Sequence, residues 1–135
     1  MTDEQKKLMA FEVVKNTPYL KLLGIELDEI DIGKAVMSLP MTEKLRQPHG
    51  LLHGGATASL IDTTTAFAVV SVLADGEKAS TVDLTVHYLR PVINEKTICT
   101  AKIVKAGKRL LTVTADVVNE DGKLIATAIS TYSKV

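Results

Sequence analysis

From Asp3 to Asn16 the apolar residues Leu8, Phe11 and Val14 recur at helical spacing among lysines and glutamates, and Pro18 closes the segment. Gly24 to Ile30 and Lys34 to Leu39 read as strands, with Asp31-Ile32-Gly33 as the hairpin connection between them. Thr42 to Leu52 is a polar loop punctuated by Pro48 and Gly50. From Gly54 to about Ala74 the residues are almost all apolar or small, which predicts one long helix. Asp75-Gly76 is its expected stop, since a glycine past the last turn suits a left-handed cap. Thr63, Thr64 and Thr65 are poor helix formers, so burial must hold this helix together.

The pattern then changes period. Ser80 to Leu89 alternates, with Val82, Leu84, Val86 and Tyr88 on one face and Thr81, Asp83, Thr85 and His87 on the other. Thr97 to Lys105 and Leu110 to Val118 are strand-like, and Asn119-Glu120-Asp121-Gly122 turns into a last strand, Lys123 to Tyr132. Consecutive strands on short turns imply an antiparallel sheet, and the order of helix, two strands, long helix and four strands is α+β. The long helix is apolar around most of its circumference and must be covered on nearly all sides, which a curved sheet wrapped around it achieves. Such a sheet has edges, and a two-fold partner pairing edge to edge removes one of them, so a homodimer is expected.

A length of 135 residues fits one domain spanning the chain, with residues 1–18 as an N-terminal helical segment. Sixteen basic and sixteen acidic side chains cancel, which argues against binding of nucleic acid or a membrane surface through net charge. The lone cysteine, Cys99, excludes an intrachain disulfide and is expected in the core. The N-terminus lacks a signal-peptide core, and the run from Leu51 to Ala74 carries Asp62 and many hydroxyls. It therefore reads as a buried helix rather than a membrane span, in a cytoplasmic protein.

Candidate chemistry centres on the start of the long helix. His53-Gly54-Gly55 stands where loop becomes helix, where unpaired N–H groups and a partial positive charge are exposed. Glycines there either serve a tight turn or let a carbonyl approach donors able to hold a developing oxyanion. Asp62, the one acid in the segment, either caps a neighbouring loop or acts as nucleophile or general base. It lies eight residues beyond Gly54, about 12 Å along the axis, and the nine-residue step from His53 turns it to the opposite face. Asp62 and Gly54 of one chain therefore do not meet, and any site using both is composite, with adjacent antiparallel helices of two protomers supplying one half each. His49 and His53 sit four apart in a Pro/Gly loop without a third ligand, so no metal site is expected and His49 reads as an exposed loop residue. No Gly-x-Ser-x-Gly elbow and no Walker-type phosphate loop is present.

Leu-His-Gly-Gly-Ala at 52–56, Asp62, and Ser-Thr-Val-Asp-Leu-Thr-Val-His-Tyr-Leu-Arg-Pro at 80–91 together resemble the hotdog-fold acyl-CoA thioesterases of the phenylacetate-degradation type, over about Leu22 to Tyr132. The resemblance implies a hotdog fold, a dimer or dimer of dimers, an acyl-CoA substrate and no separate cofactor. It implies Asp62 as nucleophile or general base, Gly54 N–H polarising the thioester carbonyl, His53 as the motif histidine, and Thr81 positioning water or the acid. It implies Gly55 and Leu51 near the acyl group, Leu60 beside them, and Arg90, Lys108 and Arg109 near the nucleotide end of coenzyme A. The family commonly has Asn six residues before the motif histidine, and this chain departs from it with Gln47.

Two other readings fit the same fold. A non-catalytic acyl-CoA sensor usually carries an attached DNA-binding module, for which the N-terminal helix is too short. A hotdog acyl-thioester dehydratase relies on a differently placed His and acid, and no second acid–His arrangement is found. Asp62 and Gly54 favour the thioesterase.

Overall fold

A computed structural model describes residues Met1–Val135. Helix α1 (Asp3–Asn16) starts in a reciprocal cap: Thr2 Oγ1 accepts from Gln5 N–H at 3.1 Å while Gln5 Oε1 accepts from Thr2 N–H at 2.9 Å. A short helix not anticipated from the sequence, α2 (Pro18–Leu23), follows at once. Pro18 supplies its preset first φ, and Gly24 stops it in the left-handed region at φ 80°. The first strand, β1 (Glu26–Asp31), consequently begins two residues later than the Gly24 start read from its apolar pattern.

Next come β2 (Lys34–Leu39), a 3-10 turn at Glu43–Leu45, and the long helix α3 (Gly54–Val70). The remaining strands are β3 (Ala79–Tyr88), β4 (Thr97–Ala106), β5 (Leu110–Asn119) and β6 (Leu124–Lys134). The expected hairpins form, with Asp31 opposite Lys34 and Gly122 N–H returning to Asn119 O at 3.0 Å. The end of α3 differs from expectation, since the helix stops at Val70, four residues before Ala74. Ser71 takes over: its Oγ donates to Ala68 O at 2.6 Å and accepts from Gly33 N–H at 2.8 Å, diverting the chain onto the β1–β2 hairpin. Gly76 does adopt a left-handed φ of 83°, but in the turn after the helix rather than as its cap. No helix is long and apolar enough to cross a membrane.

The six strands form one antiparallel sheet in the order β1-β2-β4-β5-β6-β3, curved around α3. Met37, Leu39, Leu111, Val113, Val117 and Ile125 from the sheet meet Leu60, Ile61 and Val69 of α3 in the fully buried core. Cys99 belongs to it as expected, and burial pushes its thiol up to about 12. The helix is not covered all round. Gly55, Ala58, Ser59, Asp62, Ala66 and Val70 lie partly or fully exposed along one stripe, the side of the helix that faces away from the sheet's packed core.

The alternation read in β3 holds only in part. Leu84 and Val86 are half-buried against the core, but Val82 sits in a bulge between Thr81 and Asp83 and is 59% exposed. The bulge keeps Thr81 directly across from Tyr132 on β6, and β3 ends the sheet with one side unpaired.

Candidate active site

The loop before α3 is held by Arg46, whose guanidinium donates to Gly50 O at 2.7 Å, to Ile93 O at 2.7 Å and to Asn94 Oδ1 at 2.8 Å. Leu52 N–H adds a bond to Val92 O at 2.8 Å and His53 N–H one to Leu45 O at 2.8 Å. The chain thus enters the helix along a fixed path. His53 is the N-cap residue, its Nδ1 accepting from Gly55 N–H at 2.8 Å. An accepting Nδ1 puts the hydrogen of the neutral ring on Nε2. A Cβ on Gly55 would stand 2.9 Å from that Nδ1, so glycine is what allows the ring to lie over the helix end. With Gly55 N–H taken by His53, the N–H of Gly54 is left without an acceptor in the chain. It is a free donor at the positive end of α3.

Gly54 opens onto a cleft of about 280 Å³ that Gln47, Leu51, Thr57, Tyr88 and Arg90 also line. Tyr88 OH donates to Gly54 O at 2.8 Å, fixing the first peptide of the helix. The Gln47 Oε1 accepts from His49 N–H within its own loop, and Gln47 N–H donates to Leu51 O at 2.8 Å. The carbonyl end of this amide therefore organises the loop, which leaves its NH₂ end without a protein partner. His49 is exposed, as expected. Leu60 is wholly buried in the core and does not line this cleft.

Asp62 projects from the middle of α3, half-buried, toward the sheet edge. Thr81 Oγ1 donates to its Oδ1 at 2.9 Å, and Tyr132 OH lies 3.2 Å from the same oxygen. Tyr132 OH also lies 2.9 Å from Asp62 O and 2.8 Å from Thr65 Oγ1. Burial first, and then the nearby Asp62 charge, pushes the Tyr132 phenol up to about 12, so it remains a neutral hydroxyl. Oδ2 of Asp62 has no partner in the chain. A carboxylate anchored through one oxygen and open at the other is suited to attack a carbonyl or to take a proton from water.

No role in the site is read from the sequence for Tyr132, Thr65 or Tyr88. Thr81 marks where the signal lay: its register partner on β6 is Tyr132, a pairing that periodicity alone does not disclose.

The structure brings Thr81 to Asp62, and Gln47, Leu51 and Arg90 to Gly54. It does not bring the two groups together, in keeping with the helical spacing. The three cations also separate: Arg90 follows β3 at the Gly54 end, whereas Lys108 and Arg109 form the β4–β5 turn beside Lys134, whose N–H bonds Arg109 O at 2.7 Å. Because Ala79 and Lys134 pair, that turn lies at the far end of β3, on the Asp62 side.

The Thioesterase superfamily profile matches residues 49–126, which include Gly54, Asp62 and Thr81. The chain is 33% identical to human Acyl-coenzyme A thioesterase 13, over 84% of this chain and 83% of that one. It is 29% identical to the Medium/long-chain acyl-CoA thioesterase YigI of Escherichia coli, over 98% of this chain and 96% of that one. Among solved structures, the E. coli PaaI protein from the phenylacetic acid degradation operon superposes with a TM-score of 0.90 at 26% identity, covering 100% of this chain and 96% of its own. With this fold and this match the chain belongs to the thioesterase superfamily of hotdog-fold thioester hydrolases.

Proposed function

We propose that this protein hydrolyses an acyl- or aryl-CoA thioester to the free acid and coenzyme A, without a cofactor, in the cytoplasm. Gly54 N–H donates to the thioester oxygen as it gains charge, and Asp62 Oδ2 either attacks the carbonyl carbon or draws the proton from an attacking water. Thr81 holds Asp62, His53 caps the helix so that Gly54 N–H alone faces the cleft, and Gln47 shapes the loop with its NH₂ toward the substrate. Gly55 and Leu51 border the acyl group, while Arg90, Lys108 and Arg109 meet the phosphates of coenzyme A.

The observation that carries this reading is a pair of unpartnered groups on one helix, Gly54 N–H and Asp62 Oδ2, set about 12 Å apart along the axis. That distance is too long for one carbonyl, whose oxygen and carbon must be within about 3 Å of both groups. A second copy resolves it. Laid antiparallel along the open stripe of α3, with the free edges of β3 paired, the copy sets its own Asp62 opposite the first protomer's Gly54. The same operation brings Arg90 of one protomer to the end of β3 where the other holds Lys108 and Arg109. The assembly is a homodimer, or a dimer of such dimers, with two composite sites in each dimer, and residues 1–135 act as a single hotdog domain.

The test is CoA release from short, medium, long and aryl acyl-CoAs by wild type and Asp62→Ala. Hydrolysis by wild type and its loss in the variant are expected. No hydrolysis of any substrate, an undiminished Asp62→Ala rate, or hydration of crotonyl-CoA without hydrolysis would each reject the reading. A fully active monomer would reject the composite site.

A further inference from the structure

The hydroxyls beneath Asp62 form an ordered chain, and proton counting fixes its direction. Thr65 and Tyr132 are buried, with 0% and 3% exposure, so neither hydroxyl turns to solvent. Each has one hydrogen. Four contacts compete for those two hydrogens: Thr65 Oγ1 to Tyr132 OH at 2.8 Å, Tyr132 OH to Asp62 O at 2.9 Å, Thr65 Oγ1 to Asp62 O at 3.0 Å, and Tyr132 OH to Asp62 Oδ1 at 3.2 Å. A hydrogen bond to an ionised group is roughly twice as strong as one between neutral groups, so the carboxylate attracts the phenol hydrogen. Thr65 then gives its own hydrogen to the phenol oxygen, the shortest of these contacts.

We infer that Tyr132, backed by Thr65, is a positioning residue for Asp62: together with Thr81 it anchors Oδ1 and so selects Oδ2 as the reacting oxygen. Two donors on a single oxygen pin the carboxylate plane, which one donor leaves free to rotate about that bond. The arrangement also adapts. When Asp62 loses its charge, by protonation or by acylation, the phenol hydrogen swings to Asp62 O at 2.9 Å, and it returns when the carboxylate is regenerated. No covalent bond to Tyr132 forms at any stage. The raised pKa of the phenol is in keeping with a group that donates throughout and stays un-ionised.

This inference rests on the proposed role of Asp62, and its test separates the two. Tyr132→Phe keeps the ring in the core and removes only the oxygen. Loss of a hydrogen bond to a charged group should lower kcat by about tenfold or more, with KM unchanged because the substrate is not touched. Thr65→Val should lower kcat less, and the double variant should be no slower than Tyr132→Phe, since Thr65 acts through Tyr132. Rates are compared per folded protein, with folding checked by thermal melting. If Tyr132→Phe melts before assay temperature, Thr65→Val alone decides, by a loss in kcat without one in KM. An unchanged kcat in folded Tyr132→Phe, additive losses in the double variant, or a loss carried in KM would overturn the inference. Asp62→Asn is run alongside. Full activity there would reject the role of Asp62 itself, whereas inactive Asp62→Asn beside fully active Tyr132→Phe would reject only the positioning role.

Discussion

Tyr88 OH donates to Gly54 O at 2.8 Å, joining the last residue of β3 to the first residue of α3. At the other end of the same strand, Thr81 reaches Asp62 of the same helix. One edge strand thus braces both groups of the proposed chemistry, and its outer side is the one a second copy would cover. A substitution in β3 is therefore expected to reach activity without touching substrate.

Tyr88→Phe tests that bracing. Tyr88 is 54% exposed, so loss of its hydroxyl should cost only about 0.5–1.5 kcal/mol of stability, read from urea unfolding. The freed first peptide of α3 no longer holds the Gly54 N–H in line, and kcat should fall by roughly threefold to tenfold. A wild-type kcat would mean that the helix start is held by His53 and the loop alone.

His53 and Gly55 form a coupled pair whose mutational signs are expected to reverse. Gly55→Ala puts a Cβ 2.9 Å from His53 Nδ1, displaces the ring and breaks the cap, for a loss of about 1 kcal/mol. In a His53→Ala background the ring is absent, and the same change gains the helical preference of alanine over glycine, up to about 1 kcal/mol. Urea unfolding of the four proteins measures the coupling. Equal effects of Gly55→Ala in both backgrounds would show that the ring and the glycine do not interact.

Apart from the short helix α2, element types and their order could be read from the chain because periodicity reports burial locally. Val113, Ala115 and Val117 in β5 carry the pattern on their own. The end of α3 could not be read, because Ser71 stops the helix through a bond to Gly33, a residue 38 positions away. The same holds at the site. Gly54 and Asp62 stand out for their residue type and spacing, and helical geometry alone separates them. Tyr132 looks like an ordinary strand tyrosine until β6 is set in register against Thr81. Lys108, Arg109 and Arg90 look alike as surface cations, and only the strand order sends them to opposite ends of the sheet.

Cys99 and Tyr132 make stability depend on alkaline pH. Both groups have folded values raised to about 12 by burial, from 9.0 for the thiol and 10.0 for the phenol. The neutral forms are favoured in the native state, so their contribution is fully present below pH 9. As pH rises from 9 toward 12 the unfolded chain releases these protons first, and stability falls by up to about 1.4 kcal/mol per pH unit for each group. Urea unfolding at successive pH values should show the decline begin near pH 9 in wild type. In Cys99→Ala it should begin nearer pH 10. Identical onsets would mean that the thiol does not contribute.

Whether the site is shared between protomers can be decided by mixing two inactive proteins. Asp62→Asn removes the carboxylate. Gly54→Pro removes the N–H, and it suits the position: proline is favoured at the first residue of a helix, and His53 before it is already extended at φ −63°, ψ 131°. Each variant alone should be inactive. When they are unfolded together and refolded at equal concentrations, half of the dimers carry one of each. In such a dimer one composite site combines the intact Asp62 with the intact Gly54, and the other site has neither. The mixture should therefore recover about one quarter of the wild-type specific activity, from half the dimers with one of two sites working. A site contained within one chain predicts no recovery at any mixing ratio, because every protomer lacks one of the two groups. The variants mixed without unfolding give the control, since any activity then appears only as fast as protomers exchange.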